Sequence, residues 1–198
     1  MRPAVRWPAE WERHEATWLA WPHHEPDWPG KFAPIPWVWA EIVRALHPHE
    51  RVEIICHDEA VREQAQHCLT MHDVKPQGYR LHVAATDRVW MRDSGPTGVL
   101  TARGAVELVH WSFTAWAKYD NYANDALLGR IVADATGLAR LEPLRPDGRG
   151  RVVLEGGGIE TDGRGTLLVT EEWLLSDAQI RNPGLARSDY EQIGRAHV

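Results

Sequence analysis

Cysteine, phenylalanine and methionine are scarce in this chain of 198 residues, with 2, 2 and 3 copies, and no apolar run approaches the ~18 residues of a membrane-spanning helix. Cys56 and Cys68 form neither a disulfide framework nor a CxxC pair, which argues against a structural zinc site and predicts two reduced, buried thiols. Lys and Arg never cluster into a run, and the 22 of them are outnumbered by 28 Asp and Glu, a net charge of −6. A phosphate-binding face needs the opposite balance, so no nucleic-acid partner is expected and a cationic ligand suits the chain better. Met1–Arg6 lacks the apolar core of a signal peptide. The expectation is a cytoplasmic protein without a membrane partner. No Ser/Gly-rich or low-complexity linker divides the sequence, which predicts one domain or part of one. The 43% hydrophobic content suffices for an ordinary core and excludes a disordered chain.

Tryptophan is the exception, with 11 copies, seven of them (Trp7, Trp11, Trp18, Trp21, Trp28, Trp37, Trp39) near the N-terminus. Two readings account for the cluster: a packing layer of large rings, or an aromatic wall for a flat or cationic ligand. The preference of large aromatics for cores favours packing for most of them.

Pro22–Pro36 carries five prolines and a glycine and predicts an ordered loop. Pro36 then opens a helix to about Leu46, with Val38, Ile42, Ala45 and Leu46 on one side. Val52–Cys56 reads as a strand. Asp58 reads as the N-cap of a helix to about Met71, with Val61, Ala65, Cys68 and Leu69 at helical spacing. Tyr79–Ala84 alternates as a strand and leads into a loop over Thr86–Pro96, and Val106–Phe113 is a further strand. Asp125–Thr136 is a helix stopped by Gly137, and Arg151–Leu154 and Thr166–Thr170 are strands flanking a glycine-rich turn. The alternation of strands and helices predicts an α/β fold. A Rossmann domain is disfavoured, because Gly156-Gly157-Gly158 leads into a strand and leaves no helix N-terminus for a pyrophosphate.

Two stretches carry chemistry. Trp90-Met91-Arg92-Asp93-Ser94-Gly95-Pro96 puts an aromatic, a base and an acid in a loop after a strand. Asp93 there is suited to hold a planar cation by charge-assisted hydrogen bonds beside an indole face. The competing reading is a structural pair of Arg92 with Asp87 or Asp93 at a Gly-Pro turn. Leu154-Glu155-Gly156-Gly157-Gly158 ends a strand with a carboxylate followed by three residues without side chains, where a ligand or another backbone can come close. A buried Glu155 could transfer protons or stay ionised beside a protonated histidine, and the competing reading is a hairpin-like turn with Glu155 at its rim. The 11 histidines include no HxxxH pair with a third ligand, so no metal is expected. There is no GxSxG elbow, and Cys56 and Cys68 sit on core faces unsuited to an activated thiolate.

Three stretches together resemble the agmatine deiminase family, the bacterial-type peptidyl-arginine deiminases: Pro8–Glu12 through His14–Pro22, Asp87–Pro96 and Leu154–Gly157. Asp27–Phe32, Trp116–Asn121 and Arg181-Asn182-Pro183 extend the agreement to about Gln192. The resemblance implies a pentein fold, an α/β-propeller of five pseudo-repeats, here C-terminally truncated. It also implies hydrolysis of a small cationic guanidino substrate without a cofactor, foremost agmatine to N-carbamoylputrescine and ammonia, through a cysteine-bound intermediate. By the same resemblance Asp93 binds guanidinium nitrogens, Trp90 lines the pocket, and Glu155 assists proton transfer beside the catalytic histidine. Peptidyl-arginine or another guanidino compound is the alternative substrate, and a non-catalytic guanidinium- or amine-binding fragment the alternative function. A homo-oligomer of the full-length protein is compatible with the resemblance.

The sequence departs from that family at Gly158, where the family has serine, and at Phe113-Thr114, where it has Phe-Asn. The family's later Gly-His-x-Asp motif and C-terminal nucleophilic cysteine have no counterpart here. Ile193-Gly194-Arg195-Ala196-His197-Val198 resembles one reading frame of a sequencing adapter. Residues 1–192 are therefore expected to be the N-terminal part of a single deiminase domain, and 193–198 a non-native tail.

Overall fold

The computed structural model describes residues 5–197, the side chain of Val5 excepted, so the first four residues of Met1–Arg6 and Val198 of the expected tail lie outside the described residues. In chain order the elements begin β1 (Val5–Arg6), β2 (Ala16–Ala20), α1 (Ile35–Leu46), β3 (Arg51–Cys56), α2 (Glu59–Met71) and β4 (Tyr79–Val83). They continue with α3 (Met91–Ser94), β5 (Thr97–Thr101), β6 (Val106–Val109), α4 (Ala115–Lys118), α5 (Leu128–Thr136) and β7 (Ala139–Leu141), and end with β8 (Ile159–Thr161), β9 (Leu167–Val169), α6 (Glu171–Leu175) and α7 (Arg187–His197). The fold is α/β. It divides into two compact units, one of Arg13–Met91 and one of Met1–Glu12 with Arg92–Val198.

In the Arg13–Met91 unit, β2, β3 and β4 form a parallel sheet in that order, joined by crossovers through α1 and α2. Residues 52–56 of β3 are all buried, as expected of the middle strand of a parallel sheet. Asp58 caps α2 by accepting the Val61 N–H at 2.8 Å, and Val61, Ala65 and Leu69 face the core at helical spacing. The face of α1 differs from the sequence expectation. Ala40 and Val43 are its buried positions, while Val38 and Ile42 are exposed and Trp37 is 62% exposed. Trp39, Ala40, Val43 and Leu46 lie at helical spacing on the side away from Glu41 and Arg44, a face that the choice of Val38 and Ile42 missed, and the small Ala40 lets the helix approach the sheet.

In the other unit, β1, β5, β6 and β7 form one sheet and β8 with β9 a separate antiparallel pair. Gly137 stops α5 in the left-handed region at φ 71°, as its place in the sequence predicts. The expected strand Arg151–Leu154 is reduced to isolated bridges, Ser112 with Val153 and Leu144 with Arg151. A buried side chain supplies the missing neighbour: the Asn182 amide accepts the Val153 N–H at 2.9 Å and donates to the Val153 carbonyl at 2.8 Å. The expected loop over Thr86–Pro96 contains the single turn α3, and the expected strand Val106–Phe113 stops at Val109. The helix α7 runs through Ile193–His197, with Ile193 buried against Val99, Val109 and Trp111.

Candidate active site

A carboxylate out of water is costly unless hydrogen bonds meet it, so the surroundings of the two candidate carboxylates decide what they can do. Asp93 sits on the turn α3, which Gly95-Pro96 joins to β5. Its half-buried carboxylate accepts the Gly157 N–H at 3.1 Å and the indole N–H of Trp116. Burial first, and then the charge of Glu155, push the Asp93 carboxyl above the ordinary aspartate range, against the pull of those two donors and of Arg92. Arg92 takes Glu10 as its ion-pair partner at 2.6 Å, so the backbone and an indole hold Asp93 in place of the expected arginine–aspartate pair.

Glu155 is 2% exposed. Trp173 Nε1–H donates to its Oε2 at 2.7 Å, and Arg181 Nε–H to its Oε1 at 3.1 Å within a buried ion pair. It is therefore a deeply held group, and the reading that set it at the rim of a turn is replaced. The three glycines after it form one tight turn, and the chain's own groups occupy the space they leave. A Cβ on Gly156 would strike the Arg92 carbonyl, one on Gly157 the Asp93 carboxylate, and one on Gly158 the Trp173 ring at 2.6 Å. The sequence reading of a close approach holds, with the approaching groups now identified. The turn presses the Glu155 segment onto the Arg92-Asp93 backbone and brings the two carboxylates within electrostatic reach.

Trp116 belongs to an unusual piece of backbone. Ala115, Trp116 and Ala117 follow one another at φ 45°, 62° and 50°, a left-handed turn without a glycine. Such strain is held only where the surroundings over-determine it, and here it aims an indole N–H at Asp93.

Trp90 lies in the Arg13–Met91 unit and is 41% exposed. Its ring lies 6.0 Å from that of Trp28, which packs edge-on against Trp39 at 6.0 Å and beside Phe32 at 5.9 Å. Trp39 Nε1–H donates to the Ala20 carbonyl at 2.8 Å, and Asp27 pairs with Arg88, so the proline-rich loop is pinned beneath Trp90. Sequence reasoning thus named Asp93, Glu155 and Trp90, of which one unit brings Asp93 and Glu155 together. Trp116 and Arg181 had entered only inside stretches of family resemblance, and Trp173 carried no signal. A deeply buried carboxylate demands a donor, which is the one clue that could have directed attention to Arg181.

The thiols offer no nucleophile. Burial pushes Cys56 up to about 12 and also raises Cys68, whose thiol donates to the Pro36 carbonyl at 3.6 Å. Among the described residues no group of three or more His, Cys, Asp or Glu is arranged to hold a metal ion. Nor is any helix among them long and apolar enough to cross a membrane. A groove of about 430 Å³ lined by residues including Trp111, Leu167, Leu174, Tyr190 and Ile193 lies in the same unit as Asp93 and Glu155, but neither carboxylate lines it.

Residues 6–197 match the model of the Porphyromonas-type peptidyl-arginine deiminase family. The chain belongs to this family. Among relatives of this Porphyromonas-type family member, the agmatine deiminase of Ectopseudomonas mendocina is 36% identical over 196 residues, covering 96% of this chain and 50% of the relative. The agmatine deiminase of Pseudomonas aeruginosa strain LESB58 is 33% identical over 198 residues, covering 98% and 50%. A solved structure, the agmatine deiminase of Enterococcus faecalis catalysing its reaction, superposes with a TM-score of 0.81 at 26% identity, covering 96% of this chain and 49% of that one. The chain spans about half the length of the curated relatives it matches.

Proposed function

We propose that the protein to which this chain belongs is an agmatine deiminase, hydrolysing the guanidinium group of agmatine to N-carbamoylputrescine and ammonia. The observation that carries the reading is the juxtaposition of Asp93 and Glu155 across the glycine turn, in a chain of this family. A guanidinium presents N–H groups in a planar fork, and carboxylates are its natural acceptors. Asp93 binds the guanidinium nitrogens, and a cation in its place reverses the effect of burial on its charge. Glu155, held by Trp173 and Arg181, keeps its free lone pairs for a substrate N–H and for the histidine that family resemblance supplies from outside this chain. The two carboxylates hold the cation whose carbon is attacked.

A cysteine thiolate adds to that carbon, ammonia leaves from the tetrahedral adduct, and water resolves the amidino-enzyme intermediate. The thiolate comes from beyond these residues, since Cys56 and Cys68 are held as thiols by burial. In this reading the whole protein is a cytoplasmic pentein propeller, and residues 1–192 belong to the N-terminal part of its deiminase domain.

The test is ammonia release from agmatine, free arginine and a C-terminal arginine peptide by the complete gene product. Agmatine is expected to be consumed fastest, and Asp93→Asn to lower kcat/KM by about 10²-fold or more. Turnover of the arginine peptide with none of agmatine would overturn the substrate. A second reading applies to the 198 residues alone: with Cys56 buried, Cys68 part-buried and both held as thiols, they bind a guanidinium ligand and release no ammonia. Calorimetric binding without turnover supports it, and turnover refutes it.

A further inference from the structure

Gly158 has no backbone reason to be glycine. Its φ lies outside the left-handed region, so any residue could adopt its conformation. What excludes a side chain is the indole of Trp173, whose Cη2, Cζ2 and Cε2 would lie 2.6 to 2.7 Å from an added Cβ. The same indole turns its Nε1–H onto Glu155 Oε2 at 2.7 Å. Gly158 and Trp173 are thus two halves of one arrangement, the missing side chain of one making room for the ring of the other.

We propose that Trp173 is a positioning residue for Glu155, seated over Gly158 so that its indole N–H fixes one carboxylate oxygen while Arg181 fixes the other. The proposal deepens the deiminase reading and rests on it for its catalytic meaning, though the contact itself does not. An ionised carboxylate offers about four lone-pair directions. Two are occupied by donors on different sides, Trp173 on Oε2 and Arg181 on Oε1, so rotation of the group about its own axis is blocked. The remaining directions are left for substrate and proton-transfer partners. An indole N–H neither titrates nor brings a charge, so it orients Glu155 without adding to the charge that Arg181 already sets against it.

Two measurements test this. In the 198-residue chain labelled with ¹⁵N-tryptophan, the Trp173 indole signal, assigned by its loss in Trp173→Phe, is expected to be displaced in Glu155→Gln, which replaces a charged acceptor by a neutral one. A Trp173 signal indifferent to Glu155→Gln overturns the proposal. Should Trp173→Phe fail to fold, the through-space contact of the Trp173 ring with the Gly158 Cα protons assigns the signal. In the complete gene product, Trp173→Phe keeps an aromatic ring and loses the donor, so kcat should fall about tenfold or more with KM within about twofold, and the pH–rate profile should shift. Unchanged kcat with an unchanged profile overturns the positioning role. If no variant turns over any guanidino substrate, the deiminase reading has failed while the indole signal still decides the contact. Gly158→Ser should also destabilise the chain far more than it does on top of Trp173→Ala, and additive costs count against the coupling.

Discussion

Glu53 and Glu155 are both buried, at 3% and 2% exposure, each in a different unit and each met by two donors. Glu53 stands in the middle of β3, with His82 Nε2 at 2.6 Å from its Oε2 and Arg51 on Oε1, partners brought alongside by the register of the parallel sheet and by its own strand. Glu155 stands where a strand fails, before three glycines, with partners 18 and 26 residues downstream. For Glu53, burial works against the charge, but the hydrogen bonds from His82 and Arg51 and their charges outweigh it and hold the carboxyl below its ordinary range. Across the glycine turn from Glu155, Asp93 is pushed the other way. One unit satisfies its buried carboxylate within the sheet; the other crowds two acids together, an arrangement that costs stability and suits a cationic ligand.

The largest expected effect comes from removing a buried partner. Glu155→Gln leaves the buried Arg181 guanidinium without its counter-charge and should cost about 3–5 kcal/mol in denaturant titrations, less whatever Asp93 gains from losing a neighbouring charge. Glu53→Gln leaves only the part-exposed Arg51 and His82 and should cost distinctly less; equal costs for the two would dissolve the contrast. Next, Gly156→Ala drives a methyl into the Arg92 carbonyl and should cost about 1–3 kcal/mol, an overpacking effect that Gly98→Ala, with open space around it, should not share.

The third test uses acid. A carboxyl lowered on folding contributes stability above its unfolded pKa, about 4.3, that is lost as pH falls through the folded value, so Glu53 weakens the fold on acidification. A raised one binds its proton more tightly when folded, so Asp93 costs stability as pH rises from about 3.9 through its folded value. Thermal melts from pH 3 to 7 should therefore show Asp93→Asn gaining on the parent chain as pH rises and Glu53→Gln losing on it; parallel curves would sink the argument. Smallest of all, Arg187→Ala removes an exposed pair with Glu171 and should change stability by less than about 1 kcal/mol.

How far the sequence could be read follows the same division. The Asp58 cap, the Val61–Ala65–Leu69 stripe and the β3 run are local signals, and the structure has them where the sequence puts them. Arg151–Leu154 carried a strand pattern, yet the ladder is replaced by the Asn182 amide from about thirty residues away, which no local pattern announces. The tryptophans divide similarly: Trp21 and Trp111 are core, whereas Trp11 and Trp37 are exposed, since composition cannot say which face a ring will take. At the candidate site, Asp93 and Glu155 were legible because their motifs are contiguous. Trp116, Trp173 and Arg181 were not, because each reaches its carboxylate only through the fold.

The left-handed turn at Ala115–Ala117 has a consequence for engineering. Each non-glycine residue in that region costs roughly 1–2 kcal/mol relative to a right-handed conformation, and glycine escapes the charge. Ala117 is exposed, so replacing it with glycine would surrender little packing, whereas Ala115 is buried and its methyl's contacts would be lost. The chain therefore holds unclaimed thermal headroom beside Trp116, foremost at the exposed Ala117, and a designer wanting a hardier scaffold could draw on it while leaving the indole in place.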